Sequence, residues 1–373
     1  MLPMFSHCGV SVRGASHERK GQVNQDSFGV VSRDDIVIAA VSDGHGSRSA
    51  FRSQRGSQLA TGPLLEQFLN AIADLRMNVK ERRASLSTIR HALELSVPQL
   101  LTRTWGSLVH EDLQGDPLRD DELRALRESS GDAAAKAVQA HPRTAYGATL
   151  LVSVACDDFY AHLQLGDGDI LEVTDHGEVH CPMPADVRLI ANETTSLSLD
   201  KAWRDFRVVF QPLQGAPPAA ILLGTDGLSN SFRAEADFHR AAGRFLDGLR
   251  TLGIKGFQPQ LEENLRRVTQ LGSGDDVTAV ILVRADLLPN DPVTDEGSPP
   301  RAMIGPSVLV PGAASGPPPP LSSVSSSSPF ASNEAARVPV LGRMRGPLSH
   351  RTLCAPLLSA GGQWGGAAAL PHM

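Results

Sequence analysis

Four strand-like hydrophobic runs in this sequence begin or end at an aspartate beside glycine, asparagine or another aspartate. They place Asp26 before SFGVV, Asp43 after IVIAAVS, Asp226 after AAILLGT and Asp275 just before VTAVILV. Strand ends can meet at one edge of a sheet, and carboxylates gathered there repel one another unless a cation neutralises them. One Asp-Gly pair alone is typical of a turn. Four such motifs in order favour a site for a hard, oxygen-liganded cation such as Mg²⁺ or Mn²⁺.

The stretch Asp43-Gly44-His45-Gly46 directly follows one of these runs. Glycine lacks a Cβ, so its backbone carbonyl can approach a metal closely. We therefore predict that Asp43 is a ligand and that Gly44 offers its carbonyl. An unperturbed histidine titrates near neutrality, so His45 is a candidate general acid. The alternative is that His45 only hydrogen-bonds a neighbouring carboxylate.

Composition excludes several classes of function. The chain has 373 residues, a formal net charge of -6 and 41% hydrophobic residues. This balance argues against a nucleic-acid partner, which a concentrated basic surface would indicate. The apolar runs are shorter than the ~20 residues of a membrane helix, and the start lacks a signal-peptide pattern. We therefore expect a cytoplasmic protein with no membrane partner.

The cysteines Cys8, Cys156, Cys181 and Cys354 show no CxxC spacing. This pattern indicates reduced thiols rather than a disulfide framework or a zinc site.

The sequence divides near residue 288. Residues 6–287 are predicted to form one domain, with strands at both ends and helices between. Residues 288–373 are rich in proline, serine and glycine, which predicts a disordered tail. The tail is either a spacer or a docking segment that uses its polyproline run.

Two helices are predicted in the middle of the domain. Residues Leu65, Phe68, Leu69, Ile72 and Leu75 recur on one helical face. The second pattern, SLSTIRHALELSV, is expected to stop near Pro98. The sequence pattern does not indicate a secondary structure for residues 106–142.

Taken together, the motifs resemble those of metal-dependent protein phosphatases of the 2C (PPM) type, in a bacterial branch of that family. The resemblance covers about residues 6–287. It rests on Asn24-Gln25-Asp26, Asp43-Gly44-His45-Gly46, Tyr146-Gly147-Ala148-Thr149, Leu165-Gly166-Asp167, Thr225-Asp226-Gly227-Leu228 and Gly274-Asp275-Asp276-Val277-Thr278. It implies an α+β fold, the PPM-type four-layer α/β/β/α sandwich of two antiparallel sheets flanked by helices.

The resemblance also implies a metal centre with two Mn²⁺ or Mg²⁺ ions and a weaker third ion. Asp43 would bridge the two metals, Asp226 and Asp275 would hold one of them, and the Gly44 carbonyl would hold the other. Asp167 matches a position that helps to hold the third.

The implied reaction is hydrolysis of phosphoserine or phosphothreonine in proteins by water activated between two metals. Asp26 would act through metal-bound waters, and His45 would protonate the leaving oxygen. The partner would be a phosphoprotein substrate, either a Ser/Thr kinase or one of its targets, within a signalling pathway. The oligomeric state is not indicated.

Three positions depart from the family pattern. Gln25 replaces a glutamate, and Asn230 replaces a second aspartate. Gly21 occupies a place where many members have a phosphate-binding arginine, for which Lys20, His17 or Arg19 would have to substitute.

These departures favour an alternative, a catalytically weak or dead PPM-fold protein that binds phosphoproteins or serves as a scaffold. An aspartyl-nucleophile phosphatase is a further alternative, suggested by Asp167-Gly168-Asp169. That class, however, expects the motif after its first strand.

Overall fold

The strands of the computed structural model form two antiparallel sheets. The structure describes residues 4–81, 83–183, 195–289 and 303–310. The strands are β1 (Phe5–Val12), β2 (Ser27–Arg33), β3 (Ile36–Ser42), β4 (Leu150–Ala155), β5 (Phe159–Leu165), β6 (Asp169–Val173), β7 (Val179–His180), β8 (Arg207–Pro212), β9 (Ala220–Gly224) and β10 (Val277–Arg284). One sheet has the order β1-β10-β9-β6-β7 and the other has the order β2-β3-β4-β5-β8.

Helices cover the outer face of each sheet. The helices of the described residues are α1 (Ala15–Lys20), α2 (Ser53–Thr61), α3 (Pro63–Lys80), α4 (Leu86–His91), α5 (Val97–Gly115), α6 (Asp120–Ser130), α7 (Asp132–Ala140), α8 (Asp226–Ser229) and α9 (Glu235–Leu271), which is kinked at Gly253. Helices α2, α3 and α5 pack on the second sheet, and α9 packs on the first. The predicted α/β/β/α sandwich is therefore confirmed.

The facing surfaces of the two sheets form a separate core. Val41 of β3, Leu151 of β4, Leu223 of β9 and Val280 of β10 are buried there together. All seven residues of β3 are buried, because one face of this strand meets the other sheet and the other face meets the helices. This explains why its sequence is hydrophobic throughout rather than alternating. The packing also brings the ends of strands from both sheets to one edge of the sandwich.

The local predictions hold at the hairpin and at the first helix. Strands β2 and β3 pair with Arg33 opposite Ile36, and Asp34 in the turn has a φ of 54°. In α3 the predicted face is buried at Leu65, Phe68, Leu69 and Ile72, while Leu75 is partly buried.

The prediction that a helix stops near Pro98 is wrong. The chain remains helical from α4 through a π-helical turn (Ala92–Ser96) into α5. Pro98 lies in the first turn of α5, where a proline is well tolerated. Residues 106–142, which the sequence pattern does not assign, form the end of α5, then α6 and α7.

Residues 303–310 are an exception within the predicted tail. Ile304 and Leu309 are each 1% exposed and belong to the core beneath α9. Leu309 pairs with Phe232, and Asn264 accepts hydrogen bonds from the backbone N–H groups of Met303 and Ile304 at 2.8 and 3.2 Å. These eight residues dock because they carry large apolar side chains between proline-rich stretches. Of the predicted tail, residues 290–302 and 311–373 lie outside the described residues.

No helix in the described part of the chain is long and apolar enough to cross a membrane.

Candidate metal centre

A polar pocket lies where the strand ends of the two sheets meet. It is lined by His17, Gln25, Asp43, Gly44, His45, Gly46, Thr149, Asp167, Asp226, Asp275 and Asp276. Four predicted ligand carboxylates thus converge, from the ends of β3, β5 and β9 and from the residues before β10. The predicted Gly44, His45 and His17 join them. Asp26 and Lys20 do not line the pocket.

The backbone of Asp43 is fixed by Thr149. The Asp43 N–H donates to the Thr149 Oγ1 at 2.9 Å, and the Thr149 N–H donates to the Asp43 carbonyl at 2.9 Å. Burial raises the pKa of Asp43, and the charges of Asp26 and Asp226 raise it further. The repulsion expected from the sequence is therefore present in the folded chain.

Gly44 is required for backbone packing as well as for carbonyl access. Its N–H donates to the Gln25 carbonyl at 3.2 Å. A Cβ at this position would lie 2.6 Å from that carbonyl oxygen and 2.8 Å from the backbone of Ser53. Any larger residue would push the loop after β3 away from these neighbours.

Asp26 lies behind the pocket. Its carboxylate accepts a hydrogen bond of 2.7 Å from the Thr225 Oγ1. Burial raises the pKa of Asp26, the Thr225 hydroxyl opposes that rise, and the charges of Asp276 and Asp275 add to it. This placement is compatible with the predicted action through water rather than by direct contact.

Asn230 has a role that its sequence position did not suggest. Its Nδ2 donates to the Asp226 Oδ2 at 2.9 Å. An ionised aspartate could only accept at this point. The amide therefore orients the Asp226 carboxylate instead of repelling it.

Asp276 was not predicted as a site residue, yet it organises the loop beneath the pocket. Its carboxylate is buried and accepts the backbone N–H groups of Gly14 at 2.6 Å and Gln25 at 2.7 Å. Asp275, the predicted ligand, has a side chain that is 56% exposed. The family resemblance singled out Asp275 as the ligand, but no signal in the sequence indicates the role of Asp276, because only the tertiary contacts show it.

The two predicted phosphate-binding residues differ in position. The His17 Nδ1 lies 3.0 Å from the Asp276 Oδ2, and its Nε2 lies 3.6 Å from the Asp275 Oδ1. His17 is therefore a neighbour of the carboxylates. Lys20 is exposed at the end of α1, where Gly21 turns the chain with a φ of 68°, and it does not reach the pocket.

The ring of His45 is held at the pocket wall. Its backbone N–H donates to the Gly147 carbonyl at 3.0 Å, and a Cβ on Gly147 would lie 2.7 Å from the His45 Cδ2. The His45 Nε2 is buried and has no hydrogen-bond partner in the described part of the chain. Burial lowers the pKa of His45, partly opposed by the charge of Asp167. A lower pKa makes the protonated ring a stronger acid, but a smaller fraction of the rings is then protonated at a given pH.

The donor set fits hard divalent cations. Of the residues that the structure describes, no lysine or arginine lines the pocket, and the basic side chains that line it beside the carboxylates are the imidazoles of His17 and His45. Among the described residues, no three of these carboxylates place one oxygen each within 4.8 Å of one another. A cation bound here would complete its ligands with the Gly44 carbonyl and with waters, as Mg²⁺ sites do.

Comparison with family models places more than half of the chain in one family. The sequence model described as Protein phosphatase 2C matches residues 13–266. No curated protein matches the chain.

Several solved structures have a similar fold. The serine/threonine phosphatase Stp1 from Staphylococcus aureus is 14% identical, with 76% of this chain and 97% of that chain covered and a TM-score of 0.43. The S. agalactiae serine/threonine phosphatase is 16% identical, with 75% and 99% covered and a TM-score of 0.45. The catalytic domain of the phosphatase PstP, solved with two manganese ions, is 16% identical, with 75% and 97% covered and a TM-score of 0.36.

Proposed function

The chain belongs to the protein phosphatase 2C family, and on that premise we propose that it is a metal-dependent protein serine/threonine phosphatase. The observation that carries the proposal is the convergence of Asp43, Asp226 and Asp275 with Gly44 in a pocket that no lysine or arginine of the described part of the chain lines. A structural role alone would not require so many carboxylates to face one another, since each one raises the cost of ionising the next.

The proposed ions are two Mn²⁺ or Mg²⁺. Asp43, Asp226, Asp275 and the Gly44 carbonyl would hold them, with Asp167 contributing to a weaker third site. When bound, the ions would supply the positive charge that lowers the pKa of water and stabilises the phosphoryl oxygens.

The protein's own groups position the reaction. Thr149 fixes the backbone of Asp43, and Asn230 orients the carboxylate of Asp226. The His45 Nε2 has no hydrogen-bond partner among the described residues. This nitrogen is therefore the group proposed to give a proton to the departing serine or threonine oxygen. Asp26, behind the pocket, is proposed to act through water.

The proposed substrate is a phosphoprotein in the cytoplasm, either a Ser/Thr kinase or one of its targets. The domain is proposed to span residues 6–287, with residues 288–373 as an appended tail.

Phosphate release from a phosphothreonine peptide, with Mn²⁺ titrated in, tests the proposal. We expect metal-dependent turnover, reduced by about 100-fold or more in Asp43→Asn, because even outer-shell partners of a metal cost roughly 10- to 100-fold when removed. Asp34→Asn is the matched control, since it removes the same charge from an exposed turn. Absence of turnover at saturating Mn²⁺ in folded protein would contradict the enzymatic proposal.

One observation favours the scaffold alternative. The Gln25 amide at the pocket donates to the Ser53 Oγ at 2.7 Å and brings no charge to hold metal-bound water. A scaffold would retain a phosphothreonine peptide in a binding assay but would release no phosphate from it.

A further inference from the structure

A second group of metal-ligating side chains lies outside the carboxylate pocket. Cys181 directly follows β7, while Glu235 and His239 lie one turn apart at the start of α9. Each offers one ligand atom, and the three atoms all lie within 4.8 Å of one another. None of the three lines the carboxylate pocket.

Two of the three distances within this group match those of a tetrahedral metal site. The Cys181 Sγ lies 3.7 Å from the His239 Nε2, and the His239 Nε2 lies 3.6 Å from the Glu235 Oε1. Ligands bound at about 2.3 Å (sulfur) and about 2.0–2.2 Å (nitrogen or oxygen) with tetrahedral angles are separated by roughly 3.4–3.6 Å. A cation therefore fits between them without a large movement of the backbone.

The fold holds both sides of this group in place. Glu235 and His239 are four residues apart on α9 and so share one face of the helix, and the intervening Phe238 is buried in the core. Strand β7 pairs with β6, with His180 opposite Glu172, and this pairing positions Cys181. Glu235 is exposed, so a cation can enter from solvent.

The chemistry of the three donors differs from that of the carboxylate pocket. A thiolate and an imidazole favour zinc and related transition metals, whereas carboxylates and carbonyls favour Mg²⁺ and Mn²⁺. We propose that Cys181, Glu235 and His239 form a separate Zn²⁺ site with water as the fourth ligand. His180 is close enough to His239 to interact with it electrostatically and is a further candidate side-chain ligand.

A cation at this site would join the edge strand β7 to the start of α9. Helix α9 is preceded by α8, which begins with Asp226 of the carboxylate pocket. Because the ion would be held by two elements that meet only in the folded chain, Zn²⁺ is expected to raise the thermal midpoint of unfolding. The site does not depend on the proposed phosphatase activity, since none of its ligands belongs to the catalytic pocket.

Titration of the reduced, full-length protein with Co²⁺ tests the inference. A Co²⁺–thiolate bond gives an intense near-ultraviolet charge-transfer absorption, which the oxygen donors of the carboxylate pocket cannot produce. We expect this absorption to saturate at one equivalent and to disappear when Zn²⁺ is added. Asp43→Asn should leave it unchanged, which separates this site from the proposed catalytic centre.

Variants assign the ligands. Cys181→Ser should abolish the absorption, and Glu235→Gln and His239→Gln should each weaken Co²⁺ binding by at least ~10-fold. His110→Gln, at an exposed position on α5, should have no effect.

Two results would overturn the inference. One is no charge-transfer absorption from folded protein in which thiol titration shows Cys181 to be reduced. The other is an absorption that survives in Cys181→Ser. The three side chains would then form an ordinary hydrogen-bonded contact. Either result would leave the proposed phosphatase activity unaffected.

Discussion

Replacing Asp43 by asparagine should stabilise the metal-free protein while removing its stabilisation by Mn²⁺. The carboxylates of Asp26 and Asp226 both act to raise the pKa of Asp43. Two unit charges 4 Å apart repel by about 4 kcal/mol at an effective dielectric constant of 20. A proton shared between the carboxylates relieves part of this repulsion. We therefore expect Asp43→Asn to raise the free energy of unfolding by about 1–2 kcal/mol, within the range seen when one unfavourable interaction is removed.

Urea unfolding in EDTA and in Mn²⁺ measures both effects. In EDTA the variant should be the more stable protein. When free Mn²⁺ is about 100 times the dissociation constant, the wild type should gain about 2.7 kcal/mol, and the variant should gain little. The order of stability should therefore reverse on adding metal. Asp34→Asn removes the same formal charge in an exposed turn, where asparagine tolerates the φ of 54°, and it should follow the wild type in both conditions.

Two outcomes would refute this reasoning. If Asp43→Asn is less stable than the wild type in EDTA, the carboxylate is not repelled by its neighbours. If Mn²⁺ stabilises both proteins equally, Asp43 is not a ligand.

Three further predictions concern other parts of the chain. Burial alone would raise the pKa of Asp35, but its hydrogen bonds from Arg76 (2.8 and 2.5 Å) outweigh this and hold the pKa well below its usual value. Asp35 therefore stabilises the fold above the unfolded pKa of about 3.9, and this stabilisation is lost as the pH falls. Asp35→Asn should flatten the acid side of a plot of unfolding free energy against pH, and an unchanged slope would contradict this. Leu309→Ala should release residues 303–310 and speed hydrogen exchange at the Arg233 N–H, which donates to the Val308 carbonyl at 2.9 Å, whereas unchanged exchange would mean that the segment stays docked. His45→Asn should lower kcat by roughly 10²–10⁴-fold without weakening Mn²⁺ binding measured by calorimetry, and a parallel loss of affinity would indicate a ligand-positioning role instead.

The strands and the first predicted helix could be predicted because their signals are local, whereas their arrangement as a sandwich was implied only by the resemblance to the 2C phosphatases. Strand β3 is continuously hydrophobic, the face of α3 repeats with helical spacing, and each aspartate motif lies beside a strand. The continuity of α4 and α5 past Pro98 was missed because a proline in a first helical turn and a proline that ends a helix look alike in sequence.

The candidate site could be predicted only as a set of residue types. The sequence indicated which aspartates lie at strand ends, and the fold brought Asp43, Asp167, Asp226 and Asp275 to one pocket. The sequence did not indicate that Asp276 would accept hydrogen bonds from backbone N–H groups or that Asn230 would orient Asp226. These hydrogen bonds depend on side-chain positions that are set by packing.

The sequence by itself determined most of the strands, the helix α3 and the order of the aspartate motifs, since each is encoded by neighbouring residues. The tertiary structure alone decided which distant groups meet. Cys181 and His239 are 58 positions apart, and cysteine spacing argued against a zinc site. They become neighbours because β7 joins the edge of one sheet and α9 packs across that sheet's outer face. The docking of Leu309 beside Phe232 has the same origin, because a short apolar segment is buried only where a folded surface is shaped to receive it.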